Sequence, residues 1–136
     1  MSKIKFTIGK SQSLVFNLPS KAPGDSETCM GKVLINSNGI NCSKDVSFAK
    51  ADLLELHRCA LKIYQTLSGK VSISSKCNTF NLAISATNKG HIKIEASMSN
   101  IHFTTPENSE WLTKVCFYDY PESLVQLIES VDAIES

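Results

Sequence analysis

The chain has 136 residues, 42% of them apolar and 20% charged, with a formal net charge of +1. That length suits one domain, residues 1–136, which buries about two thirds of its unfolded surface without needing a disulfide or metal staple. The near-neutral balance argues against a nucleic-acid binder, and no run of about 18 apolar residues is present to cross a membrane as a helix.

The first residues, Met1-Ser2-Lys3-Ile4-Lys5-Phe6, alternate polar and apolar instead of building the apolar stretch of a secretory signal, so a cytoplasmic protein is expected. Ile4, Phe6 and Ile8, then Leu14, Phe16 and Leu18, keep a period of two on either side of Gly9-Lys10-Ser11-Gln12 and predict an opening hairpin. Ser20 to Ser26 contains Lys, Ala, Pro, Gly and Asp, and is expected to be a mobile loop. Residues 30–36 form the third predicted strand. Asn38-Gly39 supplies a hairpin turn that accepts positive φ at both central positions. Ile40, Cys42, Val46 and Phe48 form the fourth strand, with a bulge or bend expected at Ser43-Lys44-Asp45.

The period then changes. Leu53, Leu56, Ala60, Ile63 and Leu67 are spaced by three or four and predict a helix from about 50 to 67. Asp52 and Glu55 in its first turn suit the helix dipole, and Gly69 is expected in the left-handed stop position. His57 lies beside the apolar stripe, at a boundary or surface position. Period two returns in Val71 and Ile73, in Phe80 to Ala86, in Ile92 to Met98 with Ile101 and Phe103 beyond, and in Trp111 to Phe117. In the turn Asn88-Lys89-Gly90, Gly90 provides the positive φ, and His91 begins an outward row with Lys93, Glu95 and Ser97. Pro121 suits the first position of a short closing helix, about 120–131, whose stripe includes Leu124, Leu127 and Ile128. The one-sided strands imply antiparallel pairing. The predicted class is therefore α+β, mainly β: an antiparallel curved sheet or β-sandwich with one central and one C-terminal helix.

Few residues carry recognisable chemistry. The five cysteines (29, 42, 59, 77 and 116) are odd in number and form no CxxC pair, so reduced thiols acting as small hydrophobes are expected. His57, His91 and His102 have no third ligand at fixed spacing, and no metal site is expected. Neither GxSxG nor a glycine-rich phosphate loop occurs, and Glu95 is the only carboxylate between Glu55 and Glu107. No catalytic, cofactor-binding or metal-ligating residue follows from these patterns, and the expectation is a protein that is not an enzyme and uses no cofactor. Charge is unevenly spread. Residues 1–50 hold seven lysines and three acids, whereas residues 107–136 hold seven acids and one lysine. An acidic segment of that kind attracts a basic partner.

Several motifs fall in a recognisable order. Asp52-Leu53 opens a helix that ends at Gly69. Val71-Ser72-Ile73 and Phe80–Ile84 follow, then Gly90-His91 and the alternating Ile92–Ile94, then Phe117 and Asp119 ahead of the Leu124–Ile128 helix. Over about residues 46–131 this order resembles the WapI-type immunity proteins of bacterial polymorphic toxin and contact-dependent inhibition systems. At the last junction that family often has Asp-Gln-Thr-Tyr-Leu, where this chain has Asp119-Tyr120-Pro121-Glu122-Ser123-Leu124. The resemblance implies a cytosolic antidote that binds the toxic C-terminal domain of an effector from a sister or neighbour cell, using about 800 Å² per partner and no catalysis. Many such toxin domains are nucleases, which are basic. The resemblance thus makes Glu107, Glu110, Asp119 and Glu122 the candidate contacts. A small-molecule or peptide-binding β-module with a cavity inside the curved sheet is the alternative, and an enzyme with a spatially assembled site is a third reading.

Overall fold

Two four-stranded antiparallel meanders are joined by one helix in this computed structural model, which describes residues 4–9, 12–22, 25–99 and 112–130. The first sheet runs in the order β1 (Ile4–Gly9), β2 (Ser13–Ala22), β3 (Asp25–Ser37), β4 (Ile40–Ala49). Helix α1 (Lys50–Thr66) leads to the second sheet, β5 (Lys70–Ser74), β6 (Phe80–Ala86), β7 (Ile92–Ser99), β8 (Leu112–Asp119). A 3₁₀ turn, Pro121–Leu124, runs into the five-residue α2, Val125–Glu129. The α+β class, the antiparallel pairing and both helices are as the hydropathy pattern predicts.

Alternation decides which way each strand faces. Phe6, Ile8, Leu14, Phe16, Val33, Ile35, Val46 and Phe48 of the first sheet are buried, as are Val71, Ile73, Phe80, Leu82, Ile84, Ile92, Ile94 and Met98 of the second. These side chains form one core with Leu53, Leu56, Ala60 and Ile63 of α1. The sheets meet through phenylalanine. Phe80 stands edge-on to Phe16, with ring centroids 5.7 Å apart, and edge-on to Phe48 at 6.0 Å, while Phe6 stacks on Phe16 at 4.6 Å. Edge-to-face pairs place the positive ring edge on the negative face and add about 1 kcal/mol each beyond area burial.

Turn chemistry holds the register. Asn38 and Gly39 have φ of +49° and +84°, and Ser37 pairs with Ile40 across them. In the β5–β6 turn, the buried Ser75 hydroxyl accepts the N–H groups of Thr79 and Phe80, both at 3.1 Å. The β1–β2 turn depends on Gly9. Its φ is +93°, and a Cβ there would lie 2.1 Å from the Gln12 carbonyl oxygen and 3.1 Å from the Phe117 ring of β8.

Four expectations change. Ser20–Ala22 and Asp25–Ser26 belong to strands, because β2 and β3 pair as far as Ala22 opposite Asp25; the polar and small residues there are carried by two register shifts. No bulge occurs at Ser43–Asp45, where β4 pairs with β3 in unbroken register. Helix α1 ends through Leu67, at φ +55°, whose N–H donates to the Ile63 carbonyl; Gly69 takes its positive φ two residues later. The closing segment starts as 3₁₀ because Pro121 lacks an N–H and Ser123 N–H reaches back to the Tyr120 carbonyl. Trp111, and the continuation through Ile101 and Phe103, lie outside the described residues.

His57 is a structural link. Its Nε2 lies 2.7 Å from the Ile128 carbonyl oxygen, so that nitrogen carries the proton and ties α1 to α2. Gln126 of α2 in turn accepts the outward Thr7 N–H of edge strand β1 at 3.1 Å. The short helix thus covers an edge that otherwise presents unpaired backbone groups. No helix among the described residues is long and apolar enough to cross a membrane.

All five cysteines are free thiols. Burial, together with the nearby Glu55 carboxylate, pushes the Cys59 thiol up, whereas Cys77 and Cys116 are exposed. Iodoacetamide at pH 7.5 is expected to label Cys77 and Cys116 first, with Cys59 slow and Cys29 protected until unfolding; peptide mass spectrometry reads the order. Phe80→Ala removes the ring shared by both sheets and is expected to lower stability by about 3–5 kcal/mol in urea unfolding.

Candidate functional site

At one corner of the molecule the end of β8, the β6–β7 turn and the β1–β2 turn come together. Three neighbouring residues follow from local chemistry. Alternation buries Phe117, which turns Tyr118 outward. Tyr120 precedes a proline and is held extended, at φ −83° and ψ 156°. Between them the Asp119 carboxylate accepts the Tyr120 N–H at 2.8 Å, which fixes the bend. Tyr118 and Tyr120 are 61% and 62% exposed, more than any other large hydrophobic side chain among the described residues. Pro121, Ser123 and Leu124 are buried directly behind them, so the tyrosines project from a packed base.

His91 belongs to this corner. It is half-buried, with its ring 5.1 Å from that of Tyr120, and its backbone is tied to Thr87: His91 C=O accepts the Thr87 N–H at 2.9 Å. The expected solvated surface histidine is instead an aromatic neighbour that supports Tyr120. Gly90, at φ +79° with nothing within 4 Å of an added Cβ, supplies the turn that delivers it.

Two hollows share Tyr118, Asp119 and Tyr120 as a common wall. One, about 630 Å³, is completed by the β6–β7 turn with Lys89 and His91. The other, about 530 Å³, is completed by Gln12, Glu122 and Ser123. Their electrostatics differ. The first carries a lysine of its own, and Lys93, paired across the strands with Tyr118, lies nearby. The Glu95 carboxylate 3.2 Å from Lys93, helped by Tyr118 and Cys116, holds its ammonium above the usual lysine range. The second hollow has two carboxylates and no Lys or Arg among the described residues that line it.

The wet face of the second sheet offers a third hollow, about 540 Å³, floored by small side chains such as Ser72, Ala83 and Ser97 and edged by Glu95 and Lys114. It carries no convergent buried polar group. Among the described residues no three His, Cys, Asp or Glu side chains gather as a metal site would require.

Of the four carboxylates expected to contact a partner, Asp119 and Glu122 are brought to the same hollow. Glu107 and Glu110 lie outside the described residues. Sequence reasoning missed the two tyrosines, although the alternation that buries Phe117 already turned Tyr118 outward. It also missed Gln12 and Ser123, which no local pattern marks, because only the meeting of β1–β2 with β8 makes them neighbours.

Ser123 is the least comfortable residue of the corner. It is 7% exposed, and among the described residues its Oγ is a buried oxygen without a hydrogen-bond partner. Such a group costs about 1–3 kcal/mol. Ser123→Ala is therefore expected to raise stability by about 1 kcal/mol, read as a higher midpoint in urea; an unchanged or lower midpoint contradicts an orphaned hydroxyl.

Comparison with family models, with curated proteins and with solved structures returned no match.

Proposed function

We propose that this chain is a stoichiometric inhibitor: it binds a cognate bacterial toxin domain through the Tyr118–Glu122 corner and neutralises it by occlusion, in the cytosol, without catalysis or cofactor. The observation that carries the docking reading is the pair of exposed tyrosines on a packed base, flanked by two carboxylates. Tyrosine gives large contact area at low conformational cost and dominates interface hot spots, while carboxylates at the rim steer a basic partner and set its register. The toxin as the partner comes from the resemblance to WapI-type immunity proteins, and a nuclease, basic where it grips phosphate, suits the acidic end of the chain.

The ligand-binding alternative calls for a cavity on the inner face of the sheets. Phe6, Phe16, Phe48 and Phe80, each at most 1% exposed, occupy that face. The hollows that support the docking reading are open ones at the surface.

Co-expression with the C-terminal domain of a toxin-like protein encoded beside this chain checks the proposal. Growth rescue and a 1:1 complex on pull-down are expected; equal killing with and without this chain, and no complex, sink it. Tyr118→Ala and Tyr120→Ala are each expected to weaken the complex by about 1–3 kcal/mol, mostly through faster dissociation. Asp119→Lys with Glu122→Lys should instead slow association and flatten its salt dependence. Unchanged kinetics in all of these variants place the interface elsewhere.

A further inference from the structure

We infer that the hollow between Gln12, Tyr118, Asp119, Tyr120, Glu122 and Ser123 is a receptor for one arginine side chain presented by the partner. The inference deepens the docking reading and rests on it for the identity of the partner as a protein. Three independent features converge on a guanidinium.

The first is charge. Asp119 and Glu122 both line the hollow, and among the described residues no cationic side chain does, whereas the neighbouring hollow carries Lys89. Asp119 uses one oxygen on the Tyr120 N–H at 2.8 Å, which orients the carboxylate and leaves most of its acceptor capacity for a donor in the hollow. The second is aromatic surface. Tyr118 and Tyr120 border the hollow, more than half exposed, and a cation over such a ring gains from its quadrupole. The third is the orphan. Ser123 is one of the residues lining the hollow, and its buried hydroxyl has no partner among the described residues. Buried hydroxyls are ordinarily satisfied, and an incoming N–H donor removes the cost of leaving this one unmade.

A guanidinium meets these features together. It is planar, stacks on an aromatic ring, and carries five N–H donors in a fixed fork that can reach a carboxylate and a hydroxyl at once. An ammonium concentrates three donors at one strongly hydrated point and stacks less well. Gln12 closes the hollow with its amide already oriented, since its Oε1 accepts the Ser37 hydroxyl at 2.6 Å.

The test uses the whole ¹⁵N-labelled chain and N-acetyl-L-arginine methylamide as probe, with the matching lysine and citrulline compounds as controls. Saturable amide shifts confined to residues 118–123 and the Gln12 region are expected, with a Kd on the order of 1–10 mM for a single side chain. The lysine compound should bind several-fold more weakly, and the neutral citrulline compound should leave these amides unmoved. Asp119→Asn and Glu122→Gln, which keep size and hydrogen-bond acceptors, should each weaken arginine binding about five- to tenfold. Ser123→Ala should weaken it about threefold while the variant remains folded. Asp45→Asn, on edge strand β4 and paired with Lys32, should change nothing. Citrulline binding as well as arginine, lysine binding equally, or full arginine affinity in both carboxamide variants overturns the assignment, as does the lack of any saturable shift. The titration needs no toxin. A silent titration beside successful toxin capture removes only the arginine subsite, and a positive titration beside failed capture removes only the toxin reading.

Discussion

Phe80 touches Phe16 and Phe48 edge-on, and through those contacts the two sheets become one core. Each sheet is a four-stranded meander with one apolar face, and neither can bury that face alone. Once the rings meet, the orientation of every strand is set, because a slip of one residue would turn each phenylalanine to water. The polar rows then have to lie outside, including Lys32 with Asp45 on the first sheet and Lys93 with Glu95 on the second. Helix α1 joins the same core with Leu53, Leu56, Ala60 and Ile63 and carries the chain from one sheet to the other.

A sandwich built this way leaves edges, and the C-terminal segment covers one of them. Gln126 accepts the Thr7 N–H of β1, and His57 holds the segment down through the Ile128 carbonyl. These two bonds join residues more than seventy positions apart in the chain. They also place the 3₁₀ turn, and with it Glu122 and Ser123, beside the end of β8. The candidate docking corner is a consequence of closing the edge, since the bend that starts the closing segment is the one that exposes Tyr120.

At that corner the stability of the free protein is set against the proposed docking. Gly9 lies close against Phe117 and the Gln12 carbonyl, with Gln12 at the wall of the acidic hollow. Pro121 and Leu124 bury a rigid base. On that base lie a hydroxyl without a partner, two carboxylates without a cation among the described residues that line the hollow, and two tyrosines turned to water. Each of these lowers the stability of the free protein or leaves apolar surface exposed, and each would be relieved by the basic partner proposed above. Functional sites are where such local conflicts are expected to persist.

The chain by itself determined the sheet faces, the central helix and the turns, because period two, period three-to-four and Asn38-Gly39 are local signals that the core only ratifies. It placed Asp119 and Glu122 together, since three residues across a proline cannot be far apart. It misjudged Ser20–Ala22 and Asp25–Ser26, where pairing overrides loop-like composition, and the stop of α1, where Leu67 rather than Gly69 takes the left-handed turn; Pro23 and Gly24 between them lie outside the described residues. Only the tertiary structure decided that His57 is a tie, that His91 leans on Tyr120, and that Gln12 and Ser123 share a hollow with residues about a hundred positions away from Gln12 or next door to Ser123. Those relations depend on which edges and turns meet when two sheets close on one core, and a contact between distant segments leaves no periodic trace in the sequence of either.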